Sequence, residues 1–156
     1  MNNIKILDTE EHAEIENKLH KQFGTDIIPG ILVMRGSERL FLFTGNFDEK
    51  EINKLEKCAF IERMGIYFAK IVDDSLRLSI EGSQILKEQI KKNIFELDEK
   101  QAEEWMKGHE LPIKTGSHGF IIMKHEGDFL GTGKASNEKI GNFIPKNRRL
   151  RERNSS

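Results

Sequence analysis

Residues 119–150 read GFIIMKHEGDFLGTGKASNEKIGNFIPKNRRL, and the reading of this stretch decides the fold. Phe120, Ile121, Ile122 and Met123 form an unbroken apolar run of strand length. The polar link Lys124-His125-Glu126-Gly127-Asp128 reads as a hairpin turn, with Gly127 expected to supply the positive φ of a tight reversal. Phe129 and Leu130 open the return strand and lead into Gly131-Thr132-Gly133-Lys134. Its two glycines would let a second backbone or a ligand come close where a side chain would block it. Beyond them the chain turns polar and basic: Lys134, Ser136, Asn137, Lys139, Asn142, Lys146, Asn147, Arg148 and Arg149. Ile140, Phe143 and Ile144 thread through these residues and are expected to pack the last strand. A hairpin that brings donors and positive charge to one edge suits phosphate and sugar.

Charge supports the same surface. The 156-residue chain has a net charge of −1, but the charge is unevenly spread. From residue 130 onward seven Lys and Arg face two acids, a local +5, which leaves −6 for residues 1–129. An acidic body presenting a basic contact surface is the expectation. With 37% hydrophobic and 33% charged residues, the chain fits one ordinary domain or two small ones sharing an interface. No apolar run approaches the roughly 18 residues of a membrane span, and the N-terminal MNNIKILDTEEHAE has no apolar signal core. A cytoplasmic location follows as the expectation. The single cysteine, Cys58 in KCAFI, excludes an internal disulfide and reads as a small buried hydrophobe.

Local signals order the rest. Residues 2–7 read as a strand, and Asp8 with Glu11 gives a capping-box variant ahead of Ala13, Ile15, Leu19 and Phe23 at helix spacing, closed by Gly24. Residues 31–34 and 40–43 form a hairpin around Arg35-Gly36-Ser37-Glu38. Asn46 or Asp48 caps a second helix with Ile52, Leu55 and Ala59 inward. Residues 61–72 read as a strand broken at Gly65, Asp73-Asp74 as a turn, and Leu76, Leu78 and Ile80 as a half-buried strand. Residues 81–92 carry a helical pattern through Ile85, Leu86, Gln89 and Ile90. A new unit then starts. Residues 94–97 form a strand, and Asp98 with Gln101 repeats the capping box before Ala102, Trp105 and Met106, with Gly108 as terminator and Pro112 blocking continuation. Trp105 reads as core. The expected organisation is residues 1–92, residues 93–150, and a disordered basic tail at 151–156.

These residues carry a resemblance. FELDEKQAEEWMKGHELP, residues 95–112, followed by residues 119–150, resembles a PUA-type RNA-binding domain, a small β pseudo-barrel. The ending GTGKASNEKIGNFIPKNRRL is similar to the RNA-binding tail of Sun-family RNA cytosine-5 methyltransferases. ERMGIYFAKIVDDSLRLSIEGSQIL, residues 62–86, resembles the pre-PUA α/β domain of those enzymes and of a small ribosome-biogenesis factor. The resemblance implies an α+β chain, with an N-terminal pre-PUA-like α/β domain followed by a C-terminal PUA-like β pseudo-barrel. The span from Leu111 to Phe120 is shorter than in many PUA domains, which implies that part of the barrel is missing or supplied by the first half.

Catalysis is not expected. Methyl transfer in that family needs a thiolate and a second cysteine, and only Cys58 is present. No Gly-rich loop follows a strand in the form a S-adenosylmethionine fold requires. His12, His20, His109, His118 and His125 share no ligand spacing, so no metal and no cofactor are implied. Asp73 and Asp74 read as a solvated turn, and the glutamate clusters read as outer faces of helices. The expected function is non-catalytic binding of structured rRNA or tRNA, in RNA modification or ribosome biogenesis, without a membrane. The competing expectations are a protein-interaction adaptor and an accessory subunit of a separate RNA methyltransferase, so an RNA-modifying enzyme or a ribosome-assembly factor is a candidate partner. Lys134 and Lys139 are assigned to the RNA backbone, with Lys146, Arg148 and Arg149 extending the track. Asn137 and Asn142 would reach a base edge or a 2′-hydroxyl, and Gly131 and Gly133 would admit the close approach. The PUA resemblance places Lys107 and Gly108 on the opposite lip.

Overall fold

The computed structural model describes residues 4–44 and 65–151. Its first sheet is an antiparallel meander of β1 (Ile4–Ile6), β2 (Ile31–Arg35), β3 (Arg39–Phe43), β4 (Ile66–Val72) and β5 (Ser75–Leu78), in that spatial order. The second sheet takes β6 (Ile94–Glu96), β7 (Gly119–His125), β8 (Asp128–Ala135) and β9 (Ile140–Gly141), again in chain order. There β6 runs parallel to β7 and the other pairs are antiparallel. Helices α1 (Thr9–Phe23), α2 (Ile80–Ile85) and α3 (Glu99–Met106) complete the fold, with a 3-10 turn at Lys146–Arg148. The architecture is α+β, as the sequence implies.

Both capping boxes form. The Asp8 carboxylate accepts from the Glu11 amide while the Glu11 carboxylate accepts from the Asp8 amide, and Asp98 and Gln101 do the same for α3. Helix α1 buries Ile15, Leu19 and Phe23, but Ala13 stays exposed. Gln22 on α1 reaches across to the outer edge of β5. Its side chain donates to the Leu76 carbonyl at 3.0 Å and accepts from the Leu76 amide at 2.8 Å, which closes an edge otherwise open to pairing.

The hairpin of β7 and β8 is a wall shared by two cores. Along β7 the side chains alternate: Ile121 and Met123 join Trp105, Leu97 and Ile140, whereas Ile122 joins Leu19, Phe23, Phe68 and Leu76. Phe129 of β8 also faces the first core, and Ile80 of α2 faces the second. Burial on both faces explains why this strand is apolar without alternation. A corner of hydrogen bonds joins the sheets. The Thr132 hydroxyl donates to the Leu78 carbonyl at 2.9 Å, and the Gly131 amide donates to the Ser83 hydroxyl at 3.1 Å.

Four expectations change. Ile80, read with Leu76 and Leu78 as part of a half-buried strand, instead opens α2 behind the Ser79 cap. The positive φ of the hairpin falls on Glu126 (φ 56), not Gly127. Helix α2 spans only Ile80–Ile85, although Leu86 and Ile90 of the longer apolar pattern are buried. Past Ile85 the backbone docks onto α1: the amides of Lys91 and Lys92 both donate to the Phe23 carbonyl, and the Gln89 side chain binds Ile27. Helical bonding persists only in part, from Leu86 to Gly82 and from Ile90 to Leu86, and the long-range bonds take over at Lys91. Phe143, expected to pack the last strand with Ile140 and Ile144, is 37% exposed while the other two are buried. Cys58, the helix expected from Asn46 or Asp48, the first residues of the 61–72 strand and the tail beyond Arg151 lie outside the described residues.

Candidate nucleic-acid interface

The candidate surface is built around the C-terminal end of α3, the β8–β9 turn and the segment that follows β9. Trp105, fully buried on α3, anchors it: the indole N–H donates to the Leu130 carbonyl at 2.9 Å. Asn142 then locks the segment after β9 onto α3. Its amide nitrogen donates to the carbonyls of Trp105 at 2.8 Å and His109 at 2.9 Å, and its oxygen accepts from the Ile144 amide at 2.8 Å. Both amide hydrogens and one lone pair of the oxygen serve the fold, so Asn142 has no free N–H to donate to a base.

The two terminal arginines are engaged as well. Arg148 forms an ion pair with Glu81 of α2. Arg149 donates through Nε to the Ile144 carbonyl at 2.9 Å, and its guanidinium lies over Gly108. A Cβ at Gly108 would collide with that guanidinium, and its backbone sits at φ +90, so glycine is required there. Gly131 and Gly133 likewise accommodate the protein itself. A Cβ at Gly133 would lie 2.6 Å from Ile140 Cγ2 and 2.9 Å from Trp105 Cη2, and Gly131 is packed beneath Ile80. The room the two glycines provide is filled by core side chains rather than left for a ligand's backbone.

The cations that remain most open are Lys134, Lys139 and Lys146. Lys134 and Lys139 flank Gly141 in the β8–β9 pairing, and Lys139 is 2.8 Å from the Glu110 carboxylate in an exposed pair. Such an exposed pair contributes little stability. Lys146 opens the 3-10 turn and makes no ion pair among the described residues. Asn137 is exposed and within 2.7 Å of His118 Nε2 through its amide oxygen. Lys107, at the end of α3, is only 16% exposed and leans on Glu103 at 3.5 Å and Glu104 at 3.8 Å.

A hydrogen bond from His109 at 2.5 Å, aided by the nearby lysines, holds the Glu104 carboxyl below its ordinary range. A carboxyl depressed in the folded state gives stability that is present above the ordinary carboxylate range and lost as pH falls through the folded value. An NMR titration should therefore find Glu104 titrating below the usual glutamate value, with His109→Ala moving it back toward that value. An unchanged titration in the variant would show that His109 is not the cause.

Sequence reasoning did not single out Tyr67, Arg77 or the pairing of Phe120 with Phe143. The Arg77 guanidinium lies 4.2 Å over the Phe143 ring, and Phe120 meets Phe143 edge-on with centroids 6.1 Å apart. The available signal was the alternation Leu76-Arg77-Leu78, which turns Arg77 outward once its neighbours face the core. Among the described residues no group of three or more His, Cys, Asp or Glu side chains could hold a metal ion. No helix among them is long and apolar enough to cross a membrane.

Comparison with known proteins gives this geometry a context. Residues 92–150 match the family model described as "Methyltransferase RsmF PUA domain". The chain is 26% identical over 137 residues to the "Ribosomal RNA small subunit methyltransferase F" of Vibrio cholerae serotype O1 (strain M66-2), covering 87% of this chain and 28% of that protein. The protein of the same description from Aeromonas salmonicida (strain A449) is 27% identical over 141 residues, covering 90% of this chain and 28% of that relative. The chain thus spans a little over a quarter of the length of these curated relatives. Residues 92–150 form a PUA-type domain like the tail of Sun-family RNA methyltransferases.

Proposed function

With a PUA-type domain at residues 92–150 as the premise, we propose that this chain binds structured rRNA or tRNA and serves RNA modification or ribosome assembly without catalysing a reaction itself. The observation that carries the reading is the rim of Lys134, Lys139 and Lys146, held out on a frame whose polar groups are otherwise consumed internally. Lys134, Lys139 and Lys146 contact phosphates, and Asn137 offers a directional contact to a base edge or a 2′-hydroxyl. Lys107 stands on the opposite lip beside Glu104. Arg148, Arg149, Asn142 and Gly108 hold the rim in place, and Gly131 and Gly133 allow the packing beneath it. Residues 1–92 and 93–150 are read as two units, of which the second carries the lysine rim. The reading calls for no cofactor and no membrane, and it places the chain in the cytoplasm.

Fluorescence anisotropy against tRNA, an rRNA fragment and a matched DNA duplex, across a salt series, tests the reading. Folded RNA should bind more tightly than DNA, with a log–log salt slope of about −3 for roughly four neutralised phosphates. Equal weak binding to all three, without a salt slope, overturns it. A second reading follows from the span of the match: the chain is the RNA-binding accessory of a separate methyltransferase, whose activity would rise when this chain is added.

A further inference from the structure

Two touching aromatic rings, flanked by a cation at each end, line the seam between the two sheets. Arg77 of β5 lies on Phe143, Phe143 meets Phe120 of β7, and Lys134 of β8 is 5.9 Å from the Phe120 ring. The row therefore begins at one of the rim lysines and ends on the first sheet. Beside it opens a cleft of about 60 Å³, lined among others by Tyr67, Arg77, Phe143, Pro145 and Arg148. Tyr67 is itself braced by the Phe41 ring at 5.6 Å. A space this small does not enclose a drug-sized ligand, which needs about 300 Å³ or more. Partly open and bordered by Tyr67 and Phe143, it suits the edge of a single planar ring. Phe143 belongs to neither buried core, and its 37% exposure makes it one of four large apolar side chains so exposed among the described residues. Core packing does not account for it.

We propose that this seam takes an unpaired nucleobase of the bound RNA, which packs on the outer side of the Arg77–Phe143 stack with Tyr67 lining the slot. The proposal rests on the RNA-binding reading above and adds a second ligand element to it. Sites for unpaired nucleotides combine a positively charged track with aromatic faces, and every base offers a π-face to stack. A guanidinium stacks on rings and remains charged, so Arg77 can hold a base face and a neighbouring phosphate from one position. The rim lysines then hold the backbone of a folded RNA while a bulged or flipped base enters the seam. In this arrangement the first sheet contacts RNA directly, through Arg77 and Tyr67.

The test compares two RNA duplexes of equal length, one fully paired and one with a single bulged 2-aminopurine, titrated with the full chain, Phe143→Ala, Phe143→Trp and Arg77→Gln. The wild type should bind the bulged duplex about ten-fold more tightly and change the 2-aminopurine fluorescence on binding. Phe143→Ala should remove most of that advantage and the fluorescence change while leaving the paired duplex unaffected. Phe143→Trp should restore both, and Arg77→Gln should weaken the bulge preference. Equal affinity for the two duplexes with no fluorescence change overturns the seam site and leaves the RNA-binding reading standing. An equal loss on both duplexes in Phe143→Ala also overturns it, because Phe143 would then only support the rim. Absence of salt-dependent binding to either duplex overturns both.

Discussion

Trp105→Ala is expected to destabilise the protein by about 3–5 kcal/mol, the range for deleting a large buried aromatic. Trp105 is fully buried at the centre of the second core, with its ring against Gly133. It also repairs an irregularity in the sheet. The β7–β8 register shifts between Ile122 and Lys124, which leaves Leu130 and Gly131 outside the paired positions. The indole N–H satisfies the Leu130 carbonyl and Ser83 satisfies the Gly131 amide. Removing the ring thus opens a cavity and orphans a carbonyl at once, and a loss of that size is a large share of a typical domain's stability. Urea unfolding followed by far-UV circular dichroism measures it, because the variant lacks the chain's single tryptophan. Trp105→Phe should lose less, since it keeps most of the volume and forfeits the hydrogen bond. A loss below about 1 kcal/mol for Trp105→Ala would show that the ring is not what holds the core together.

The largest effect on binding is expected from Lys134→Ala/Lys139→Ala/Lys146→Ala. Losing three phosphate contacts should weaken RNA binding on the order of 10²-fold near 0.1 M salt and flatten the log–log slope by about 2–3. Fold stability should move by no more than about 0.5 kcal/mol, because all three side chains are exposed. Arg149→Ala is the contrasting variant. Its guanidinium covers Gly108 and its Nε holds the Ile144 carbonyl, so its loss should lower the melting temperature before it changes the salt slope. Wild-type affinity and slope in the triple lysine variant would remove these residues from the interface.

Much of this molecule is legible along the chain. Asp8 with Glu11, and Asp98 with Gln101, announce helix starts because a capping box is satisfied within four consecutive residues. Gly24 ends α1 in the left-handed conformation for an equally local reason. Strand length, turn chemistry and the basic run after residue 130 are likewise readable in order. The 81–92 pattern predicts one helix, whereas the regular helix ends at Ile85 and Leu86 and Ile90 join the core through a looser turn that keeps the same apolar spacing.

The candidate site divides along the same line. The kinds of element and the positive charge at the C-terminal end are written in the sequence, since each depends on neighbours in the chain, whereas the α+β class came through the family resemblance. Only the tertiary structure decided which polar side chains stay open to a ligand. Asn142 is consumed by the carbonyls of Trp105 and His109, Arg148 by Glu81 and Arg149 by Gly108 and Ile144, whereas Lys134 and Lys146 stay exposed and form no ion pair among the described residues. It likewise brought Arg77 from the first sheet onto Phe143 from the segment after β9. A side chain's donors go to whichever groups folding places within about 3 Å, and for these residues those groups lie far away along the chain.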